Sequence, residues 1–161
     1  MGATCEAGDP APDFNLGLDQ GKTVELRDYR GKALAVYFYP KDDTSGCTAE
    51  AIAFNGLRED FAKAGASILG VSPDSAKSHA KFKGKHALEF ELGADEEKAA
   101  ATAYGVWVEK SMYGRKYMGV ERSTFLIGPD GLLARVWRKV KVRGHAEEVL
   151  AAARALQSGK G

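Results

Sequence analysis

The sequence predicts an α/β fold, in which a central mixed β-sheet is flanked by helices on both faces. Predicted strands and helices follow the order β-β-β-α-β-α-(β)-α-β-β-α, which covers both faces of a sheet with helices. Residues 33–39 form a continuous apolar run of strand-like residues, typical of a central strand buried on both faces. The 161 residues are 44% hydrophobic and 28% charged, so residues 1–161 have the size and composition of one globular domain.

An N-terminal β-hairpin is predicted before the central strand. Residues 13–16 and 23–26 alternate polar and apolar side chains, and the sequence at 19–21 favours a turn between them. Residues 26–31 then connect the hairpin to the strand at 33–39.

A helix is predicted at the cysteine that follows the central strand. At about 100° per residue, Cys47, Phe54 and Phe61 fall within about 40° of one another, so this stripe faces the core. Ile52 falls on the outer, polar face. The helix is expected to run without a break to Gly65, where the glycine ends it.

Strands and helices alternate in the next stretch. Residues 66–72 are predicted to form a second buried strand, and Pro73 opens a helix that continues to about residue 86. A short strand is predicted at 90–92. An alanine-rich helix follows at 95–104, where an acidic first turn suits the helix dipole.

A second hairpin and a helix close the chain. Residues 109–121 are basic and contain glycine, and they are predicted to form a loop. Strands at 123–127 and 132–137 flank a Pro-Asp-Gly turn signal at 129–131, and a final helix occupies 144–156. This closing hairpin and helix resemble the thioredoxin-like arrangement, so a thioredoxin-like fold is expected.

Charge and composition favour an ordinary globular protein. The formal net charge is +1, from 23 basic and 22 acidic residues, so nothing favours nucleic acid or an anionic membrane as a partner. No apolar run approaches the roughly 18 residues of a membrane span, and residues 1–14 carry no secretory signal. A reducing, cytoplasmic compartment is expected, in which the two cysteines are free or catalytic. The ends, residues 1–7 and 158–161, are expected to be flexible.

The stretch from Pro40 to Cys47 has the composition of a reactive-thiol site. A buried strand ends at the proline, a polar loop follows, and the cysteine falls where a helix begins. A free cysteine has a pKa of about 8.5, and a helix N-terminus or a nearby cation favours the nucleophilic thiolate. Arg122 is the candidate cation, since an arginine that begins a buried strand is costly unless it meets an anion. The alternative for a lone cysteine is a small buried hydrophobic residue.

At these residues the sequence resembles the peroxiredoxins. Pro40, Thr44 and Cys47 form the Pro-x-x-x-Thr-x-x-Cys pattern of that family. The wider match is to its bacterioferritin-comigratory-protein or peroxiredoxin Q branch, and it covers the chain from about Gly8 to Ala155. The matching segments are 38–44, 46–48, 50–51, 106–107, 113–119 and 122–127.

The resemblance implies a thiol-dependent peroxidase that reduces hydrogen peroxide and organic hydroperoxides. Carried over by position, Cys47 attacks the terminal peroxide oxygen and becomes a sulfenic acid. Thr44 hydrogen-bonds the peroxide and the thiolate, and Pro40 shields the pocket from water without offering an N–H. Arg122 stabilises the thiolate and the charge that develops on the oxygens.

Two further residues are predicted at the substrate. Tyr39 is expected to line the pocket, although an aromatic residue at such a position more often belongs to the core. Glu50 lies in the first helical turn and is expected either to orient Arg122 or to cap the helix. The basic residues 110–116 either form a solvated loop or meet an acidic reductant.

The expected partners are a hydroperoxide and a thiol reductant, thioredoxin or another. Neither nucleic acid nor a membrane is expected, and the resemblance implies a monomer or a weak homodimer. No cofactor is expected. No metal site is expected either, because the histidines lack ligand spacing and are predicted to be solvated or to cap helices. They are His79, His86 and His145.

The sequence departs from the family pattern at two positions. Ser45 stands where the family has proline, so the loop lacks a restraint on φ. Ile52 stands where many members of the branch carry a resolving cysteine, five residues after the peroxidatic one. A one-cysteine cycle is therefore predicted, in which an external thiol resolves the sulfenic acid of Cys47. Cys5, in the lead-in, is the alternative resolving thiol, in cis or in trans.

Two other functions stay open at this point. A disulfide oxidoreductase on the same fold uses Cys-x-x-Cys, because a second thiol must release the mixed disulfide. Here Thr44 occupies the place of the first cysteine. A non-enzymatic binding or chaperone-like protein would keep Cys47 as a structural residue. Peroxide consumption that is lost in Cys47→Ser separates the three functions.

Overall fold

A mixed sheet with helices on both faces forms the centre of the computed structural model, which describes residues 5–159. The strands are β1 (Asn15–Gly17), β2 (Thr23–Glu25), β3 (Ala33–Phe38), β4 (Ala66–Ser72), β5 (Glu91–Ala94), β6 (Trp107–Met112), β7 (Arg115–Val120), β8 (Ser123–Ile127) and β9 (Leu133–Trp137). The helices are α1 (Ser45–Gly56), α2 (Arg58–Lys63), α3 (Ala76–His86), α4 (Ala99–Ala103) and α5 (His145–Gln157). Two single-turn 3-10 helices, Asp19–Gly21 and Leu26–Tyr29, flank β2.

Two predictions concern the ends of the chain and membrane crossing. Part of the predicted flexible ends, residues 1–4 and 160–161, lies outside the described residues. None of the described helices is long and apolar enough to cross a membrane.

The main sheet joins seven strands in the order β2-β1-β5-β4-β3-β8-β9. The middle strand, β3, runs parallel to β4 and antiparallel to β8, and all six of its residues are buried. The N-terminal hairpin pairs β1 with β2, and β1 joins the rest of the sheet through β5. The predicted mixed sheet, hairpin and buried central strand are confirmed, and β4 and β8 have the predicted bounds.

Two hydrophobic cores lie on the two faces of the sheet, because side chains alternate along β3. Val36 and Phe38 belong to one core, to which α4 and the N-terminal segment contribute. Ala35 and Tyr37 belong to the other, to which α1, α2, α3 and α5 contribute. The loop that follows β3 therefore starts from a strand that is packed on both sides.

The long helix predicted after the central strand is divided at Leu57, between α1 and α2. Gly56, a residue of low helix propensity, precedes the break. The Leu57 N–H bonds to the Phe54 carbonyl at 3.1 Å, as in a tightened last turn. The buried stripe persists across the break, since Phe54 and Phe61 are fully buried while Ile52 is 51% exposed.

The helix predicted at 95–104 begins four residues later than expected, with α4. The Asp95 carboxylate accepts the N–H groups of Ala100 at 3.1 Å and Ala101 at 2.8 Å, and Lys98 has a φ of 59°. An aspartate side chain that bonds nearby backbone N–H groups offers the chain an alternative to the helix. The segment before α4 is therefore a turn.

The prediction of a loop at 109–121 is wrong, because most of this segment forms the hairpin of β6 and β7. Tyr113 and Gly114 form its tip with φ values of 52° and 77°, the backbone region of a type I′ turn. Both faces of this separate two-stranded sheet are largely exposed. Its sequence therefore lacks the apolar alternation that reveals a half-buried strand.

We predict that Gly70→Ala lowers the free energy of unfolding by about 1–3 kcal/mol, because it overpacks the core. A Cβ at Gly70, within β4, would stand 2.8 Å from Leu92 Cδ2 and 2.9 Å from the Tyr37 ring. Urea unfolding measures the change. Gly84→Ala is the control, since a Cβ there meets nothing within 4 Å and replaces a helical glycine, so a gain of about 0.5–1 kcal/mol is expected. Equal urea midpoints for the parent and Gly70→Ala would contradict the prediction.

Candidate active site

Cys47 lies in the first turn of α1, directly after the loop that leaves β3. Thr44 is the N-cap residue, and its carbonyl accepts the Thr48 N–H at 2.8 Å. The N–H groups of residues 45–47 therefore have no acceptor within the helix. Together with the helix dipole, they place partial positive charge beside the thiol. Cys47 itself is 2% exposed.

Arg122 brings a full positive charge to the same thiol. It lies between β7 and β8, 75 residues further along the chain, and its Nη2 donates to the Cys47 Sγ at 3.4 Å. Gly46 leaves room for this approach, since a Cβ at that position would stand 3.2 Å from Nη2. The structure thus brings together the thiol and the cation that the sequence paired. The sequence analysis did not predict this role of Gly46, because a glycine at the start of a helix indicates only backbone freedom.

Glu50 binds the other side of the Arg122 guanidinium. The Arg122 Nη1 donates to Glu50 Oε1 at 2.5 Å, and Glu50 is 1% exposed. Burial raises the pKa of Glu50 to about 7, although the charge and hydrogen bond of Arg122 act in the opposite direction. Burial alone would lower the pKa of Arg122, but its interactions with Glu50 and Cys47 outweigh burial and raise it. Of the two roles predicted for Glu50, the geometry supports the orientation of Arg122.

Thr44 and Pro40 lie in the same loop, with different degrees of exposure. The Thr44 hydroxyl donates to the Lys41 carbonyl at 2.9 Å. In this conformation its hydrogen therefore does not reach the thiolate, which differs from the expectation. Its oxygen keeps a lone pair for a hydrogen bond from a peroxide O–H. Thr44 is exposed, and Pro40 is half-buried directly after β3.

Of the two places considered for Tyr39, the pocket and the core, the structure supports the core. Its side chain is fully buried, and its hydroxyl donates to Asp42 Oδ1 at 2.6 Å. Burial raises the pKa of Tyr39 far above its ordinary value, so the hydroxyl stays protonated. Tyr39 is a core residue that supports the loop through Asp42.

A buried ion pair between Asp42 and His79 anchors this loop to α3. The His79 Nδ1 lies 2.7 Å from Asp42 Oδ2, and its Nε2 lies 3.1 Å from the Gly93 carbonyl. Both ring nitrogens therefore face oxygen acceptors, and the contact with Asp42 becomes an ion pair when the ring is protonated. Burial raises the pKa of Asp42, but hydrogen bonds from His79, Tyr39 and Ser78 bring it below its ordinary value. No local pattern predicts this contact, which joins residues 37 positions apart.

The same pair explains a cluster of potential metal-ligand atoms. One atom each from Asp42, Asp74 and His79 lie within 4.8 Å of one another. The Asp74 Oδ2 accepts the Asp42 N–H at 2.8 Å and the Ser72 hydroxyl at 2.7 Å. Both carboxylates already bind protein donors, and both ring nitrogens of His79 face protein oxygen atoms. The arrangement is a hydrogen-bonded network that holds the loop.

The prediction that the histidines are solvated or cap helices is wrong for two of the three. His79 is fully buried and His145 is 4% exposed. The His145 Nε2 lies 2.8 Å from Thr124 Oγ1, and burial lowers the pKa of this ring. His86 is partly exposed and lies 3.2 Å from an Asp43 carboxylate oxygen. A single histidine in a helical pattern carries no signal of its burial, so sequence reasoning could not find these contacts.

Cys5 is buried, which differs from the flexible lead-in expected at 1–7. It is 3% exposed, and its Sγ lies 3.6 Å from the Ala103 carbonyl, in the core on the α4 face of the sheet. Burial raises the pKa of its thiol. Cys47 belongs to the core on the opposite face, so the sheet separates the two thiols.

Together, the fold and the site define a class, the thiol peroxidases. Comparison with known proteins agrees: the sequence profile described as the AhpC/TSA family matches residues 7–136. Peroxiredoxin Bcp of Bacillus subtilis is 53% identical over 91% of this chain and 94% of its own length. Peroxiredoxin Q of Xanthomonas campestris has a TM-score of 0.86 and 50% identity, over 89% of this chain and 91% of its own. A mutant PrxQ of Xylella fastidiosa has a TM-score of 0.90 and 42% identity, over 96% of this chain and 99% of its own.

The chain therefore belongs to the AhpC/TSA family, in its Bcp or peroxiredoxin Q branch. The expected thioredoxin-like fold is confirmed by these structural neighbours. The protein is a thiol-dependent peroxidase. A disulfide oxidoreductase and a non-enzymatic binding protein, the two other functions weighed from the sequence, gain no support from these relatives.

We predict that Asp42 and His79 are energetically coupled. His79→Gln leaves the buried Asp42 carboxylate without its closest side-chain partner on α3, so the free energy of unfolding is expected to fall by about 3–5 kcal/mol. Asp42→Asn/His79→Gln removes both partners of this contact and is expected to cost less than the two single changes together, by about 1 kcal/mol or more. Urea unfolding of the parent, both single variants and the double variant measures the coupling.

The control for this cycle is Lys85→Gln. Lys85 forms an exposed ion pair with Asp43, so its removal is expected to change stability little. Strictly additive losses in the Asp42 and His79 variants would show that the ion pair does not stabilise the fold.

Proposed function

We propose that this chain reduces hydrogen peroxide and organic hydroperoxides through Cys47. The observation that carries the proposal is the 3.4 Å contact between Arg122 Nη2 and Cys47 Sγ. A cation at that distance, added to a helix N-terminus, favours the thiolate that attacks peroxides. A relative supports the substrate class, since the bacterioferritin comigratory protein of Xanthomonas campestris is described for its alkyl peroxide reduction activity.

In the first half-reaction, the Cys47 sulfur attacks the terminal peroxide oxygen in line with the O–O bond. An S–O bond forms and the O–O bond breaks, so sulfur loses two electrons and becomes a sulfenic acid. The leaving oxygen takes a proton and departs as water or an alcohol. Arg122 and the free N–H groups of α1 donate to the charge that develops on the oxygens. Thr44 Oγ1 accepts the peroxide hydrogen and orients it, while Pro40 offers no N–H and shields the site.

In the second half-reaction, a thiol from outside the chain attacks the sulfenic sulfur. Water leaves, a mixed disulfide forms, and a second thiol releases Cys47. Cys5 lies across the sheet and position 52 is isoleucine, which supports a one-cysteine cycle. We propose thioredoxin as the reductant, in a reducing cytoplasm. We propose a monomer or a weak homodimer as the working unit.

We predict that Cys47→Ser lowers peroxide consumption to that of the protein-free control, because serine supplies no thiolate. Cys5→Ala is the matched variant, and it is expected to keep the parent rate, with circular dichroism to confirm folding. The assay follows NADPH oxidation with thioredoxin and thioredoxin reductase. Mass analysis after one equivalent of peroxide is expected to find one added oxygen on Cys47. A stoichiometric disulfide between the two cysteines would show that Cys5 resolves the sulfenic acid.

We predict a pH effect from the raised pKa of Glu50. As pH rises through about 7, the carboxyl loses its proton, and the new negative charge beside Arg122 disfavours the Cys47 thiolate. The rate constant for hydrogen peroxide, measured by stopped flow from pH 5 to 9, is expected to show an inflection near pH 7. Glu50→Gln is expected to lack this inflection, and Glu59→Gln, an exposed change on α2, to keep it.

The stability of the fold is expected to follow the same titration. The pKa of Glu50 is higher in the folded protein than its ordinary value of 4.5, so the folded state binds the proton more tightly. Stability is therefore expected to fall as pH rises from about 4.5 to about 7, through this group. If the inflection of the rate constant near pH 7 persists in Glu50→Gln, the titration belongs to another group.

A further inference from the structure

Exposed apolar side chains are concentrated on the hairpin of β6 and β7. Among residues 5–159, six large hydrophobic side chains are exposed, and four of them lie between positions 112 and 118. These four are Met112 (55% exposed), Tyr113 (99%), Tyr117 (44%) and Met118 (48%). A cluster of exposed apolar side chains on a soluble domain marks an interaction site.

Only the base of this hairpin is fixed to the core. Trp107 and Val120 pair with each other at the base, where Val120 is 2% exposed and Trp107 packs against the core. Beyond the base, β6 and β7 pair only with each other among the strands of residues 5–159. Strands of six residues extend about 17 Å, so the tip projects well into solvent. An isolated two-stranded hairpin is marginally stable in water, and a partner would stabilise it.

The hairpin also carries a local excess of positive charge. The hairpin contains three basic residues, Lys110, Arg115 and Lys116, and one acidic residue, Glu109. Its local net charge is therefore +2, whereas the whole chain carries +1. Glu109 lies 3.9 Å from Lys116, with both side chains exposed. Among the described residues, Lys110 and Arg115 form no ion pair. The surface therefore complements one that is acidic and apolar.

The base of the hairpin adjoins the active site. The Glu121 N–H bonds to the Val106 carbonyl at 2.8 Å, which closes the base, and Arg122 is the next residue. Arg122 in turn contacts Cys47. A standard interface buries about 800 Å² on each partner, a patch about 30 Å across. A protein bound to the hairpin would thus extend over the approach to Cys47.

We propose that the β6–β7 hairpin is the docking surface for the reductant, a small thiol protein whose reactive cysteine is surrounded by acidic and apolar side chains. The inference rests on the proposed function, in which the sulfenic acid of Cys47 is resolved from outside. Docking brings the partner's thiol to that sulfur. An S–S bond forms, the S–O bond breaks, and the hydroxyl leaves with the thiol proton as water. A second thiol of the partner then breaks the mixed disulfide, which reduces Cys47 and oxidises the partner.

Other occupants fit the hairpin less well. A two-fold contact between two copies of this chain would bring hairpins of like charge together, which costs binding energy. An anionic lipid surface matches the charge but brings no thiol to the adjoining site. Tyrosine, methionine and arginine are also the residue types enriched at protein–protein interfaces.

Two double variants test the surface without changing its base. Arg115→Glu/Lys116→Glu reverses the charge, and Met112→Ser/Tyr117→Ser removes apolar area. Turnover of hydrogen peroxide is measured with thioredoxin, with glutaredoxin, and with dithiothreitol as a small neutral thiol. The charge variant is expected to lose about tenfold in kcat/KM for the protein reductant, because charge complementarity mainly sets the association rate. Its dependence on salt is expected to reverse, since added salt then screens repulsion between the two proteins. The apolar variant is expected to lose a similar factor in kcat/KM, and the size of this loss is expected not to depend on salt.

The control is Lys22→Glu/Lys32→Glu, an equal charge change at exposed residues outside the hairpin. It is expected to match the parent with every reductant, and all variants are expected to match the parent with dithiothreitol. Equal losses with protein thiols and dithiothreitol would overturn the docking role, as would unchanged rates in both hairpin variants. The proposal is also wrong if neither thioredoxin nor glutaredoxin reduces the oxidised protein faster than dithiothreitol at equal thiol concentration.

Three further outcomes separate this proposal from its alternatives. No turnover with any thiol, dithiothreitol included, would overturn the proposed peroxidase function itself. Analytical ultracentrifugation that finds a dimer in the parent and a monomer in the hairpin variants would assign the surface to a second copy. Co-sedimentation with phosphatidylglycerol vesicles that the hairpin variants lose would assign it to a lipid surface. Either of the last two results would overturn the docking of a thiol protein.

Discussion

The active site depends on the contacts of the partly buried Arg122 guanidinium. A charge that is partly withdrawn from water is costly unless it is paired, and this one donates to Glu50 at 2.5 Å and to Cys47 at 3.4 Å. Both partners lie in the first two turns of α1, while Arg122 directly precedes β8, a neighbour of the central strand. The contact therefore joins the helix that carries the thiol to the middle of the sheet. The absence of a side chain at Gly46 allows the close approach.

The loop between β3 and α1 is held from a second direction by α3. Asp42 pairs with the buried His79, and Asp43 pairs with Lys85 at the surface. The two contacts differ in strength because a buried pair is shielded from water and an exposed pair is not. Opening of the loop has to break the buried pair, whereas the surface pair adds little resistance. The loop is thus a rigid support for the thiol and for the first-turn N–H groups.

The positions of the two thiols bear on how the catalytic cycle is completed. Cys5 and Cys47 belong to cores on opposite faces of the sheet, and a sheet packed on both faces keeps them apart. This arrangement supports the proposed one-cysteine cycle, in which the oxidised Cys47 meets a thiol from outside the chain. The hairpin that precedes Arg122 carries most of the exposed large apolar side chains and lies beside the site where that thiol is needed.

Local sequence patterns determined much of this protein. The apolar run of β3, the segments of β4 and β8, and the cysteine at a helix start were all predicted correctly, because period and composition act over a few neighbouring residues. The pairing of Arg122 with Cys47 followed from the cost of burying a charge, together with the family resemblance. The tertiary structure decided the rest. The contact of Asp42 with His79, the burial of Cys5 and the place of Tyr39 depend on residues far apart in the chain, where no local pattern records the contact. The hairpin of β6 and β7 escaped prediction for a related reason, since a strand exposed on both faces needs no apolar alternation.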